Sequence, residues 1–66
     1  MTYLVGDLVL SGGEKVGIEY SDGSKSEAVY VDSFGYNHIF KTQNGKEIKL
    51  SNHFMHLKGI KIFLIE

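Results

Sequence analysis

The chain has 66 residues, the length of one small domain, and we treat residues 1–66 as a single domain. Its hydrophobic share of 42% and charged share of 23% are ordinary for a globular protein, and its formal net charge is −1. The lack of cysteine excludes disulfides and thiolate chemistry, and no apolar run is long enough to predict a membrane span or a signal peptide. We therefore expect a cytoplasmic protein.

Turn residues recur at short intervals, as is typical of all-β domains. The turn signals lie at residues 11–13, 21–24, 33–37 and 44–45. Asp22-Gly23 is a pair that type I′ turns prefer, because both central residues of that turn need positive φ. Asn44-Gly45 is the strongest hairpin signal, and it predicts a two-residue loop.

Apolar and polar residues alternate between the turns with a period of two, which predicts strands rather than helices. Val16 and Ile18 share one face of their segment, and Ile48 and Leu50 are expected to point inward. The strands expected from this pattern are residues 7–10, 15–20, 27–32, 38–43, 46–50 and 60–65.

Residues 51–59 break the alternation. Ser51 and Asn52 are good N-cap residues, and Lys58 followed by Gly59 is a helix stop signal. We expect at most one helical turn, within residues 51–57, before the final strand. That strand is apolar on both faces.

This order of elements predicts an all-β fold, a small partly open antiparallel barrel of five or six strands with one short helical turn before the last strand. Val5-Gly6-Asp7-Leu8-Val9, the tight hairpins and the helical turn at residues 52–57 resemble the SH3-like small barrels over nearly the whole chain. A looser resemblance, to small barrel proteins of bacteriophages and mobile elements, rests on Gly6-Asp7-Leu8, Gly45-Lys46-Glu47-Ile48 and Leu57-Lys58-Gly59-Ile60. It implies no catalysis, and by analogy it implies an accessory protein that binds and inhibits a host protein.

The residues give little support to metal or catalytic chemistry. His53 and His56 are three apart and would share a helical face, but a zinc site needs three or four ligands and the third histidine, His38, lies elsewhere. No Gly-x-Ser-x-Gly nucleophile elbow is present. We predict no catalytic residue, no metal site and no cofactor.

Aromatic residues exceed what so small a core can easily hide. Phe34 and Tyr36 flank Gly35 in a predicted turn, and a loop tip is a poor place to bury a ring, so both are candidate contacts with a larger protein partner. Phe63 and Ile65 lie on the second face of the final strand and are candidates for self-association, most simply as a two-fold dimer.

Nucleic-acid binding is the alternative function. Sm-like and OB-like barrels bind RNA or single-stranded DNA through aromatic platforms set among basic residues. The residues that would make such contacts are Tyr36, Phe40, Lys41, Lys46 and Lys49. The absence of arginine and the sequence pI of about 6.3 oppose this function, so we favour a protein-binding module.

Overall fold

The computed structural model describes residues 1–65, which form seven strands and one short helix. β1 (Tyr3–Val5) and β2 (Leu8–Leu10) make a separate antiparallel hairpin. The five-stranded antiparallel sheet has the order β6-β5-β4-β3-β7. Its strands are β3 (Lys15–Glu19), β4 (Lys25–Phe34), β5 (Asn37–Thr42), β6 (Glu47–Ser51) and β7 (Lys61–Leu64), and α1 (Asn52–Lys58) joins the last two.

The all-β class with a short helix before the last strand is confirmed, but the number of strands is higher than predicted. The two sheets do not close into a barrel within residues 1–65. The additional strand is β1, whose three residues pair with β2 through Tyr3–Leu10, Leu4–Val9 and Val5–Leu8. A three-residue apolar strand is too short to display an alternating pattern, so the sequence carries no periodic signal for it.

The core lies between the inner face of the five-stranded sheet and the layer made by the β1–β2 hairpin and α1. Val16, Ile18, Tyr30 and Phe40 are buried on the sheet, and the alternating pattern had placed Val16 and Ile18 on one face. The remaining buried apolar residues of this cluster are Val5, Leu10, Ala28, Leu50, Met55 and Ile62. The hairpin therefore covers the inner face, and Phe63 remains on the opposite side of β7.

The two predicted glycine hairpins have three-residue loops. In the β5–β6 loop the Gly45 N–H donates to the Thr42 carbonyl at 2.9 Å, and the Thr42 N–H donates to the Lys46 carbonyl at 2.8 Å. Only Gly45, with φ 86°, has a positive φ there, so Asn44-Gly45 is not a two-residue loop and that prediction is wrong. The bonds instead describe a type I turn followed by a left-handed glycine, and the β3–β4 loop ending at Gly23 repeats them.

The helix is longer than predicted but has the predicted ends. The Ser51 hydroxyl accepts a hydrogen bond from the Phe54 N–H at 3.1 Å, and Gly59 adopts the left-handed conformation after the last turn. The seven residues between them make nearly two turns and bury Met55. Within residues 1–65 no helix has the length and apolarity that crossing a membrane requires.

Candidate functional site

The tip of the β4–β5 hairpin presents two aromatic side chains to solvent. Phe34 and Asn37 are paired, so the loop between them is only Gly35-Tyr36. Gly35 has φ 61° at the first loop position and Tyr36 has a negative φ, as in a type II′ turn. The side chain of Phe34 is 66% exposed and that of Tyr36 is 91% exposed. A two-residue turn leaves the chain little freedom, so the tip holds both rings on a fixed backbone.

Phe34 belongs to an apolar area on the outer face of the sheet. We call this area the outer patch, and it consists of Val29, Val31, Phe34 and Ile39. Val31 is the extra residue of a β-bulge, because Tyr30 pairs with Phe40 and Asp32 with Ile39. Val31, Phe34 and Ile39 line one shallow depression together with Asn37, Glu47 and Lys49. Val29 and Val31 are exposed, whereas Ile39 is only 7% exposed although it lies outside the main core.

A chain of polar side chains lies behind the tip on the inner side of the sheet. The Tyr30 hydroxyl bonds to the Ser33 hydroxyl, whose oxygen lies 2.6 Å from His38 Nδ1. His38 Nε2 lies 3.0 Å from Asn52 Oδ1. We call these four residues the polar latch. Burial of its hydroxyl raises the pKa of Tyr30.

The direction of every hydrogen bond in the latch follows from Asn52. Its Nδ2 group donates to the Leu4 carbonyl, and its Oδ1 accepts from the Gly6 N–H, both at 2.9 Å. The Oδ1 atom is therefore an acceptor, so His38 Nε2 carries a proton, and in the neutral imidazole Nδ1 accepts from the Ser33 hydroxyl. The Ser33 oxygen then accepts from the Tyr30 hydroxyl. One consistent direction satisfies all four side chains.

The latch joins the β1–β2 hairpin to the main sheet. In a parallel strand pair, a single residue accepts from one backbone N–H of its neighbour strand and donates to a carbonyl two positions earlier. The Asn52 side-chain amide makes the same two bonds with the Gly6 N–H and the Leu4 carbonyl. Ser33, His38 and Asn52 also follow the order of a nucleophile, a base and an orienting group. The pocket beside His38 is lined by Gly35, Tyr36, Ser51, Asn52 and His53 but not by Ser33. The bonds of Asn52 to Leu4, Gly6 and His38 anchor the hairpin.

The glycine-rich segment before β3 binds its own acidic side chain. The Glu14 carboxylate accepts from the backbone N–H groups of Ser11 and Gly12, both at 2.7 Å, and from the Ser11 hydroxyl at 3.1 Å. The Ser11 and Gly12 amides lower the pKa of Glu14 to about 2. The amides that could meet an external anion are thus used within the loop.

Phe63 and Ile65, the residues predicted for self-association, are only partly available. The Phe63 ring packs over Gly17, where a Cβ atom would lie 2.4 Å from Phe63 Cζ. Lys25 Nζ lies 5.9 Å from the centroid of the Phe63 ring, and Phe63 remains 38% exposed. Ile65 is half-buried. Phe63 therefore lies on the outer face of the sheet, as the outer patch does. It belongs to β7, at the other edge of the sheet from β6.

The residues predicted for nucleic-acid contact do not share one surface. Phe40 is fully buried on the inner face, so it cannot stack on a base. Lys41 and Lys49 lie on the outer face, where Glu47 is paired with Lys41. Of this set, Tyr36 is the residue at the β4–β5 tip, and Lys46 follows the β5–β6 loop.

The latch and the outer patch could not be found from sequence motifs. The latch brings together side chains from β4, β5 and α1, and the one local signal is His38, a polar residue that alternates with buried Phe40. Within residues 1–65 no group of three or more histidine, aspartate or glutamate side chains is placed to hold a metal ion. No family model, curated protein or solved structure matches the chain.

Proposed function

We propose that the protein is a non-enzymatic, self-associating protein-binding module. It engages a larger partner protein through the β4–β5 tip and the outer patch. The observation that carries this proposal is the exposure of Phe34 and Tyr36 on a two-residue turn. Exposed aromatic side chains are enriched at protein interfaces and carry much of the binding energy there. A rigid turn lowers the entropy lost when they are bound.

The outer patch extends the surface that a partner can bury. Val31 and Phe34 line the same depression as charged Glu47 and Lys49, so apolar and charged groups meet there. An apolar centre with a polar rim is the usual anatomy of a protein interface. The finer form of the proposal, a phage or mobile-element accessory protein that inhibits a host protein, rests on the loose motif resemblance alone.

Binding of RNA or single-stranded DNA is the competing function, and the burial of Phe40 leaves it with Tyr36 as the aromatic contact of the predicted set. The two functions respond differently to salt, because phosphate contacts weaken steeply with ionic strength and apolar contacts do not.

The test is capture of partners from a lysate of the encoding organism, with and without nuclease, at low and high salt. We expect a protein partner that survives nuclease and high salt and is lost with Phe34→Ser or Tyr36→Ser. Phe54→Ser is the matched control, because Phe54 is an exposed aromatic residue on α1 that belongs neither to the β4–β5 tip nor to the outer patch. Loss of binding on nuclease treatment supports the nucleic-acid function. Retention by the two tip variants contradicts the proposed surface.

A further inference from the structure

The free edge of β6 offers backbone groups for pairing with another strand. β6 is the outermost strand on its side of the sheet. Thr42 and Lys46 form a hydrogen-bonded pair across the β5–β6 hairpin. Opposite residues in an antiparallel pair alternate between bonded and non-bonded. Ile48 therefore directs its peptide groups toward β5, whereas Glu47 and Lys49 direct theirs to the free edge.

The charges on β6 distinguish the registers in which two copies could pair. Two copies can pair antiparallel about a two-fold axis. If the axis passes through Glu47, Glu47 lies directly opposite Glu47 of the second copy, and if it passes through Lys49, the two Lys49 residues lie opposite each other. Directly opposed like charges destabilise a strand pair. An axis at Ile48 instead places Glu47 opposite Lys49 of the second copy, and this occurs twice by symmetry.

We propose that β6 is the self-association surface, and that a second copy of this chain pairs with it antiparallel with the two-fold axis at Ile48. The inference rests on the self-association in the proposed function and names its surface. Glu47 and Lys49 would exchange backbone N–H···O bonds with their counterparts, which gives four bonds about the axis. The pairing stays within β6 and does not reach Asn52, where α1 begins.

The side chains near this seam fit the same register. Glu47 already faces Lys41 within its own chain and would face the Lys49 side chain of the second copy on its other side. Ile48 is half-buried against the core, and the two Ile48 side chains would meet across the axis. β7, the other outer strand, contains a single charged residue, Lys61, so no register of β7 with its copy sets opposite charges against each other.

The experiment compares association constants by analytical ultracentrifugation for the wild type, Glu47→Lys, Lys49→Glu, the double variant and an equimolar mixture of the two single variants. We expect a wild-type dimer and an association weakened by about tenfold or more in each single variant, because like charges then face each other at two positions. The double variant should dimerise as the wild type does. The mixture should form mixed dimers, since each strand then offers the charge that the other lacks.

A matched control reverses Lys15 and Glu27, an ion pair of 3.5 Å on the same outer face but away from β6, and it should leave association unchanged. Circular dichroism confirms that each variant is folded. Single variants that dimerise like the wild type, or a mixture that stays monomeric, overturn the β6 interface. Dissociation by Phe63→Asp alone assigns the interface to the terminal strand instead. A monomeric wild type at high micromolar concentration refutes self-association itself.

Discussion

Replacement of Asn52 by alanine tests whether the polar latch holds the β1–β2 hairpin on the sheet. The substitution removes the acceptor of the Gly6 N–H and of His38 Nε2, and it removes the donor to the Leu4 carbonyl. Leu4 and Gly6 are exposed, so water can replace their lost bonds. His38 is buried, so its Nε2–H is left without a partner.

The expected cost follows from this difference. A buried donor without a partner costs about 1–3 kcal/mol, whereas a rehydrated bond costs less. We therefore expect Asn52→Ala to lower the free energy of unfolding by about 2 kcal/mol, a large share of the ~3–5 kcal/mol that a core of this size supplies. For a domain this short, the melting temperature should fall by about 8–16 °C.

Two measurements separate anchoring of the hairpin from general destabilisation. Thermal unfolding followed by circular dichroism gives the change in melting temperature, and amide hydrogen exchange gives the protection of the Gly6 N–H. We expect protection at Gly6 to be lost while Gly17 in β3 stays protected under native conditions. Asn44→Ala is the control, because within residues 1–65 the Asn44 side chain makes only a local bond, which it accepts from the Thr42 hydroxyl. A fall of less than about 3 °C with unchanged exchange at Gly6 would refute the anchoring role of Asn52.

Three further predictions concern single residues. The wild type should lose stability as pH falls from 4.5 to about 2, because ionised Glu14 stabilises the fold above that range and the contribution disappears on protonation. Glu14→Gln should show a smaller loss in urea titrations over this range, and an unchanged pH profile contradicts this. Gly17→Ala should cost about 1 kcal/mol by displacing the Phe63 ring, and the cost should vanish in a Phe63→Ala background; equal costs in both backgrounds would show that the ring is not the cause. Gly45→Ala should cost about 1–2 kcal/mol in thermal unfolding because of its φ of 86°, and a neutral result would argue against the left-handed turn.

Alternation alone was sufficient to predict part of the core. It placed Val16 and Ile18 on one face and Ile48 and Leu50 inward, and all four have these positions in the structure. The capping residues Ser51 and Gly59 likewise marked the ends of α1 because their effect is local. Such features depend on neighbours within a few positions, so a single sequence contains them.

The features that were missed or mispredicted depend on distant contacts or on a choice between similar local states. The nucleic-acid alternative counted Phe40 as an accessible contact, but the packing of the hairpin and α1 against the sheet buries its side chain. Asn44-Gly45 fits two kinds of hairpin, and the bonds of Thr42 with Gly45 and Lys46 select the three-residue loop. The latch depends on the approach of Asn52 to Leu4, which are 48 positions apart.

The latch and the exposed tip belong to the same part of the fold, which gives the anchoring bonds a second consequence. Ser33 and His38 are opposite each other one pair before Phe34 and Asn37, so the latch fixes both strands directly beneath the tip. Tyr30 and His38 are buried and Ser33 is half-buried, and a network in which each of these groups has its partner favours one arrangement of the side chains. Two contacts therefore restrain the backbone that carries Phe34 and Tyr36. His38 bonds to Ser33 in the residue pair next to the tip, and Phe34 pairs with Asn37 across the turn. An aromatic tip held in this way loses little conformational freedom on binding, which is the property that the proposed function requires of it.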